Sequence, residues 1–509
     1  MGDVEMIGHA GNYEDHLETF GEALNSHRKA VFWAVYALFV LTISSYDNSA
    51  SSIFLSVPEF RKDFGYEYDN NYVLPAKWQS AYSGGPSATA VIGALSSSYI
   101  SDKIGRKLAY LISFAFVLAG SVVETLATTN GFFFAGKMLN GIAVGSFGTI
   151  TMTYIGEIAP LQLRGVLTAA AGIPYTFGPF IVTLLVNSYG TLQTRWAYRG
   201  IFVSQFGMTI IGLLGLPFMP ESPWWLINHG KDEKAARSLG RLGEIDVTKR
   251  LAVIKLTLEQ IRKESDGVTF IECFRKSNLR RTIIGIAPLS IQALSGISFT
   301  GYFSYYIQLA GHTDSFSFKL GVVMSVTAML GNMASWLVVD RVGRRDLTIY
   351  GLIIVFSCMT IIGGLGTQTT SKTCIDAVIS WMIIWVVFYN VTIGATSYNL
   401  LTEVSTARLR TKTASIGFAL QNAIYTMWSF VLPYIFNPNE ANLGAKTCFI
   451  FAGLTLLSLV YIWFYQPETS RRSYEELDEM FMKKIPARQF KAYRTDAEIR
   501  GEEIVQNKV

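Results

Sequence analysis

Apolar runs of about twenty residues recur along nearly the whole chain, and a helix of that length crosses a hydrocarbon layer about 30 Å thick. They fall at 31–56, 78–101, 108–128, 132–156, 165–187 and 197–219, then at 282–309, 317–339, 347–367, 375–402, 411–436 and 446–465. The polar stretch 220–281 divides them, six on each side. The expected fold class is therefore an all-α membrane protein of about twelve transmembrane helices in two six-helix halves. Charged residues make up only 16% of the chain and mean hydropathy is +0.30. Soluble domains carry about 25% charge, so a soluble enzyme starts far behind as a reading.

The positions of the cations set the expected orientation, because Lys and Arg beside spans mark the cytoplasmic side. SDKIGRK, LQLRG, DRVGRRD and TARLRTK follow spans two, four, eight and ten, and 220–281 is rich in Lys and Arg. All lie on one face if both termini do. Arg61, Lys62, Lys77 and Arg195 fall on the other side. The expected organisation is a cytoplasmic N-terminal tail (1–30), an N-terminal six-helix half (31–219), cytoplasmic linker helices (220–281), a C-terminal six-helix half (282–465) and a cytoplasmic C-terminal tail (466–509). Residues 1–30 are polar and acidic, unlike a basic cleavable leader, so the first run reads as a retained span. The linker and C-terminal tail alternate charged and apolar residues, as amphipathic surface helices do. The four cysteines, Cys273, Cys358, Cys374 and Cys448, have neither disulfide nor zinc spacing.

Two segments recur at equivalent places in the halves. Ser101–Lys107 (SDKIGRK) matches Val339–Arg345 (VDRVGRR), and Gly156–Gly165 (GEIAPLQLRG) matches Thr402–Thr411 (TEVSTARLRT). Such matching argues a duplicated six-span unit with substrate held near the midplane. Asp102, Arg106, Glu157, Arg164, Asp340, Arg344, Glu403 and Arg410 sit at helix ends, where ion pairs can close one side of a transporter and break when it opens. The plainer reading of any one segment is a basic loop that fixes topology.

A solute that offers several hydrogen-bonding groups needs a site whose side chains both donate and accept, with aromatic faces for any ring. Span seven (SIQALSGISFTGYFSYY) carries Gln292, Ser298, Tyr302 and Tyr305 at intervals that place them on or near one side of a continuous helix. Span ten carries Tyr398 about a turn after Gly394, and span eleven carries Gln421, Asn422 and Tyr425. The competing role for such residues is to join helices by hydrogen bonds. Span one raises a different question. Asp47 lies inside an apolar run, and a buried carboxylate must either pair or take up a proton. Glu124, near the end of span three, is expected at the membrane interface. His9, His16, His27, His229 and His312 all fall outside the spans, so none is a natural proton relay.

The two loop motifs, EIAPLQLRG, PESPWWL (Pro220–Leu226) and the PET at Pro467–Thr469 together resemble the sugar porter family of the major facilitator superfamily, from about Tyr46 to Pro486. GKMLNGIAVGSFGT, PESPWWLINHGKDEKA, FNPNEANLGAKTCFIF and YEELDEMFMKKIPARQF are most similar to fungal maltose and general α-glucoside permeases. That resemblance implies plasma-membrane proton symporters. It aligns Tyr46-Asp47 with the span-one motif that carries the titrating aspartate, and Lys137 with a position where many porters have arginine. Gln292, Gln421 and Tyr398 match binding positions. Four positions depart from the pattern: Ala293 replaces a second glutamine, Gly172 and Pro179 replace glutamines of span five, and Ser44 stands where α-glucoside permeases place a glutamate.

The functional expectation is sugar transport by alternating access, for an α-glucoside such as maltose or a related hexose or disaccharide, with proton symport through Asp47 and Lys137. Substrate-binding candidates are Gln292, Ser298, Tyr302, Tyr398, Gln421 and Asn422. The alternative is a sugar sensor with little or no net flux, although such sensors carry longer tails. No phosphate loop or paired metal ligands suggest an ATP-driven pump or an enzyme. The expected partners are sugar, protons and membrane lipid, with no nucleic acid and no cofactor, and the expected working form is a monomer.

Overall fold

The computed structural model describes residues 20–68, 71–160, 163, 166–167, 170–244, 246–265, 270–368, 371–405, 409–470 and 474–493. A helix lies at each of the twelve expected spans. The first six are α1 (Arg28–Ile53), α2 (Ala76–Ile104), α3 (Arg106–Leu126), α4 (Asn130–Ile158), α5 (Gly172–Tyr189) and α6 (Trp196–Gly215). The polar stretch forms α7 (Pro223–Asn228), α8 (Asp232–Leu242) and α9 (Val247–Ser265). There follow α10 (Lys276–Leu294), α11 (Phe303–Leu309), α12 (Asp314–Val342), α13 (Arg344–Leu365), α14 (Lys372–Val391), α15 (Ile393–Val404), α16 (Arg410–Phe436), α17 (Cys448–Tyr465) and α18 (Tyr474–Met482). Among the described residues the strands are Tyr66–Tyr68 and Asn71–Val73, an antiparallel hairpin in which Tyr66 faces Val73.

Eight of the membrane-length helical segments are apolar enough to cross a bilayer by composition alone. Helices α2, α4, α5 and α16 fall outside that set. The sequences of α2 and α4 show why: GGPSATAVIGALSSS and GIAVGSFGT trade bulk for small residues. Helix association in lipid depends on close packing, which small residues allow. A Cβ on Gly93 of α2 would meet the carbonyl of Ile142 on α4, and one on Gly145 of α4 would meet the carbonyl of Ala90 on α2.

The chain forms two compact units, Met1–Asp266 with His312–Ser325, and Gly267–Gly311 with Val326–Val509. In the first, Ala34, Leu41, Tyr110, Phe114, Phe147 and Tyr154 build a core from α1, α3 and α4. Leu242 of α8 joins that core, so the apolar side of the polar stretch has a place to bury. In the second unit, α18 lays Leu477, Met480 and Phe481 against Ile284, Leu400 and Val404. The Arg281 guanidinium lies 4.7 Å from the centre of the Phe481 ring and donates to the Val404 carbonyl at 3.0 Å.

Two spans expected as continuous helices are broken. Gly296, at φ +92°, ends α10, and a 3-10 turn over Ile297–Tyr302 leads into α11. A left-handed residue costs any L side chain about 1–2 kcal/mol, and a Cβ here would also lie 2.5 Å from Met359 Cε. Glycine satisfies both constraints. At Thr392, φ −110° and ψ −87°, α14 gives way to α15.

Candidate functional site

Asp47 of α1, Glu124 of α3 and Lys137 of α4 meet inside the first unit, where each is at most 1% exposed. Lys137 Nζ lies 3.0 Å from Asp47 Oδ1 and 3.4 Å from Glu124 Oε1. Two neutral amides complete the group. Asn140 Nδ2 donates to Asp47 Oδ1 at 3.2 Å and to Glu124 Oε1 at 2.7 Å, and Gln205 Nε2 of α6 donates to Asp47 Oδ1 at 3.2 Å. The ammonium also faces the rings of Phe202 and Phe54, 5.4 and 5.8 Å from their centres. Aromatic faces attract a cation, so Lys137 is held on its apolar side as well.

Local sequence makes room for this group. A Cβ on Gly136 would sit 2.7 Å from Glu124 Cγ, and a Cβ on Gly120 would run into Asn140 Oδ1. Next to Asp47, the Tyr46 hydroxyl donates to the Ile201 carbonyl at 2.7 Å and lies 2.6 Å from Ser204 Oγ. Ser44, where the family resemblance leads one to expect a glutamate, donates to the Val144 carbonyl. The expectation that Glu124 lies at the interface is wrong. It is fully buried because Lys137 and Asn140, on the neighbouring helix, give its carboxylate partners that the sequence of span three does not show. Asn140 and Gln205 also escaped the sequence reading; each sits on a helix face packed toward Asp47.

The second unit holds amides where the first holds charge. Gln421 Nε2 donates to Gln292 Oε1 at 2.5 Å, and Tyr389 donates to the Gln292 carbonyl at 3.1 Å. The other sugar candidates stand in different surroundings. Tyr302 is buried against Phe436, ring centres 5.1 Å apart. Ser298 lies in the 3-10 turn, Tyr398 is exposed with its ring 6.1 Å from Phe418, and the exposed Asn422 donates to the Phe418 carbonyl. Within span seven the break at Gly296 matters: helical spacing across 292–305 does not hold once the helix stops at Leu294. Gly172 opens α5 and Pro179 lies within it.

At the helix ends the two loop motifs of each half pair with one another. Arg106 makes a two-pronged contact with Glu157, Nε to Oε2 at 3.0 Å and a terminal nitrogen to Oε1 at 2.7 Å, and reaches Asp102 at 3.2 Å. In the second unit Arg344 approaches Glu403 Oε1 at 3.2 and 3.1 Å. Each first turn also receives a carboxylate from later in the chain. Glu221 of the PES accepts from the Arg106 and Lys107 amides at 2.8 and 3.2 Å. Glu468 of the PET accepts from the Arg344 and Arg345 amides at 2.9 and 3.0 Å. Carboxylates favour helix N-termini, where backbone N–H groups lack partners. Recurrence of PE-S/T at equivalent places was the available signal for Glu221 and Glu468. Arg164 and the side chains of Asp340 and Arg410 lie outside the described residues.

A family profile described as sugar (and other) transporter matches residues 33–481. The chain belongs to this family. The general α-glucoside permease of Saccharomyces cerevisiae is 28% identical over 94% of this chain and 79% of its own length. An Aspergillus fumigatus protein named MFS transporter fmqE is 29% identical over 94% of this chain and 92% of its own. The inward-open structure of the E. coli xylose transporter XylE superposes with a TM-score of 0.71 at 20% identity, covering 88% of this chain and 99% of XylE. The fold is that of the major facilitator superfamily. This member of the sugar transporter family is thus a multi-pass membrane protein and not an enzyme, and the buried charges and paired amides lie inside a transporter scaffold.

Proposed function

We propose that the protein carries a sugar, an α-glucoside such as maltose or a related hexose or disaccharide, across the fungal plasma membrane by alternating access coupled to proton symport. The observation that carries this reading is the buried Asp47–Lys137 contact in a member of the sugar transporter family. An isolated charge in a dry span is costly, so such a group functions by pairing or by binding a proton. The α-glucoside permease among its relatives supports the cargo class. Gln292 and Gln421 supply amide donors and acceptors for hydroxyls, with Ser298, Tyr302, Tyr398 and Asn422 as further contacts. The two compact units provide the moving bodies, and the Arg106–Glu157 and Arg344–Glu403 contacts act as gates that close one side. Both termini and 220–281 are cytoplasmic, following the cation-rich loops, and the monomer is the working form.

The test is uptake of labelled maltose, sucrose, glucose and a pentose by a fungal cell lacking its own sugar transporters, with external pH recorded. Uphill maltose entry with alkalinisation of the medium is expected. Uptake without a pH change removes symport, and binding without uptake turns the reading to a sensor. A less polar cargo is the second reading. It is favoured by Gly172 and Pro179 in place of expected glutamines. Failure of all four sugars, with no sugar binding, would favour it.

A further inference from the structure

The pairing of Asp47 with Lys137 leaves a charge unaccounted for. Two carboxylates and one ammonium share a site with almost no solvent exposure, so with all three ionised the group carries one uncompensated negative charge. Burial of a lone charge is opposed by the loss of hydration, and a carboxylate responds by taking a proton. The hydrogen bonds show which of the two is less supported. Asp47 Oδ1 accepts from Lys137, Asn140 and Gln205 at 3.0–3.2 Å. Glu124 Oε1 accepts one close bond, from Asn140, with Lys137 at 3.4 Å.

A second observation points to an occupant. Asp47 Oδ2, Glu124 Oε2, Asn140 Oδ1 and Gln205 Oε1 are all buried without a hydrogen-bond partner. Four such oxygens in one group give an excess of acceptors, and buried acceptors without donors are rare. An added proton supplies the donor. The charged groups facing Glu124 are Lys137 from α4 and Asp47 from α1. Gln205 from α6 is neutral, and the Tyr46 hydroxyl is engaged by Ile201 and Ser204.

We propose that Glu124 completes the proton site, so that the group of Asp47, Glu124 and Lys137 binds one proton on the Glu124 carboxyl. A proton arriving from water converts the Glu124 carboxylate to the acid and takes the group's charge from minus one to zero. Release to water on the other side restores the carboxylate. Asp47 and Lys137 remain an ion pair throughout, and Glu124 gives the pair its capacity to carry a proton. The transport role of this proton rests on the symport reading; its presence on Glu124 does not.

Two measurements on the purified full-length protein separate these points. Infrared spectroscopy reads the carbonyl stretch of a protonated carboxylic acid directly, and a pH electrode on vesicles containing the protein reads proton uptake after a maltose pulse. In the unaltered protein the acid band is expected, and Glu124→Gln is expected to lack it and to bring the inside-to-outside maltose ratio down to unity. Glu124→Asp, which keeps a carboxyl and guards against a misfolded glutamine variant, is expected to keep the band at a displaced frequency. Absence of the band from the unaltered protein, its persistence in Glu124→Gln, or an undisplaced band in Glu124→Asp would overturn the assignment. An acid band that behaves as expected, with no proton uptake after the maltose pulse, would uphold Glu124 as the protonated group while removing symport.

Discussion

The two units share their ends and differ in their interiors. Arg106 with Glu157 and Glu221 has a counterpart in Arg344 with Glu403 and Glu468, down to the two backbone N–H groups that each later glutamate accepts. Between the ends, the first unit buries Asp47, Glu124 and Lys137, whereas the buried charged residues described in the second are Arg281 and Glu468, both near helix ends. Its interior relies on Gln292 and Gln421, and α10 and α14 are interrupted where α1 runs continuously to Ile53. The matched parts are those that fasten helix ends, and the units diverge in the residues their interiors bury. Among the described residues, interior charge is thereby confined to the first unit.

Removing a partner from each interior gives the sharpest test of that separation. Lys137→Met strands two carboxylates, and breaking a buried charged pair costs about 3–5 kcal/mol. Thermal unfolding of the detergent-purified protein should show a large loss, while Gln421→Met, which leaves only a neutral acceptor unpaired, should lose about 1–3 kcal/mol. Equal losses would erase the distinction between the interiors. At the ends the units should respond alike: Arg106→Ala and Arg344→Ala should each lose about 1.5–3 kcal/mol, the range for hydrogen bonds to charged groups. Arg106 should be the costlier because its side chain is the less exposed, 7% against 15%.

Smaller effects probe the interruptions and the solute contacts. Gly296→Ala forces a left-handed alanine and should cost about 1–2 kcal/mol in the same unfolding assay. Gln292→Ala should raise the uptake KM for maltose about tenfold, corresponding to about 1.4 kcal/mol. An unchanged KM would leave the amides as helix joints only. The smallest effect is expected at the C-terminal end, where Lys491 lies 2.9 Å from Asp346. The hydrogen bond and charge of Asp346 hold the Lys491 ammonium above the usual lysine range. A raised value means the contribution is complete below the unfolded lysine value of about 10.4 and is lost as pH climbs through the folded one. Lys491→Ala should therefore match the unaltered protein in unfolding scans at strongly alkaline pH and differ slightly near neutrality.

Sequence reading reached the architecture because spans advertise themselves by length and apolarity, and the halves by matched motifs. It also selected Asp47, Lys137, Gln292 and Gln421, which the fold brings into two close contacts. What escaped it depends on packing between helices. Glu124 looks interfacial by its place near the end of span three, yet Lys137 and Asn140 receive it in the interior. Gln205 is one more amide in an apolar run until α6 is set beside α1. The face proposed for Tyr302 and Tyr305 assumed a helix that Gly296 ends, and the left-handed backbone responsible is invisible in a composition that already holds 44 glycines.

The glutamates of PES and PET also set when each half can be fastened during synthesis. When α3 leaves the ribosome its first amides have only water to accept from them, and the residue that serves Arg106 lies 115 positions downstream. Arg344 waits for a residue 124 positions later. Each half therefore receives its fastening only after its sixth span has been made. A nascent chain halted before Glu221 or Glu468 would expose uncapped amides at the start of α3 or α13, a chemical mark that distinguishes an unfinished half from a finished one.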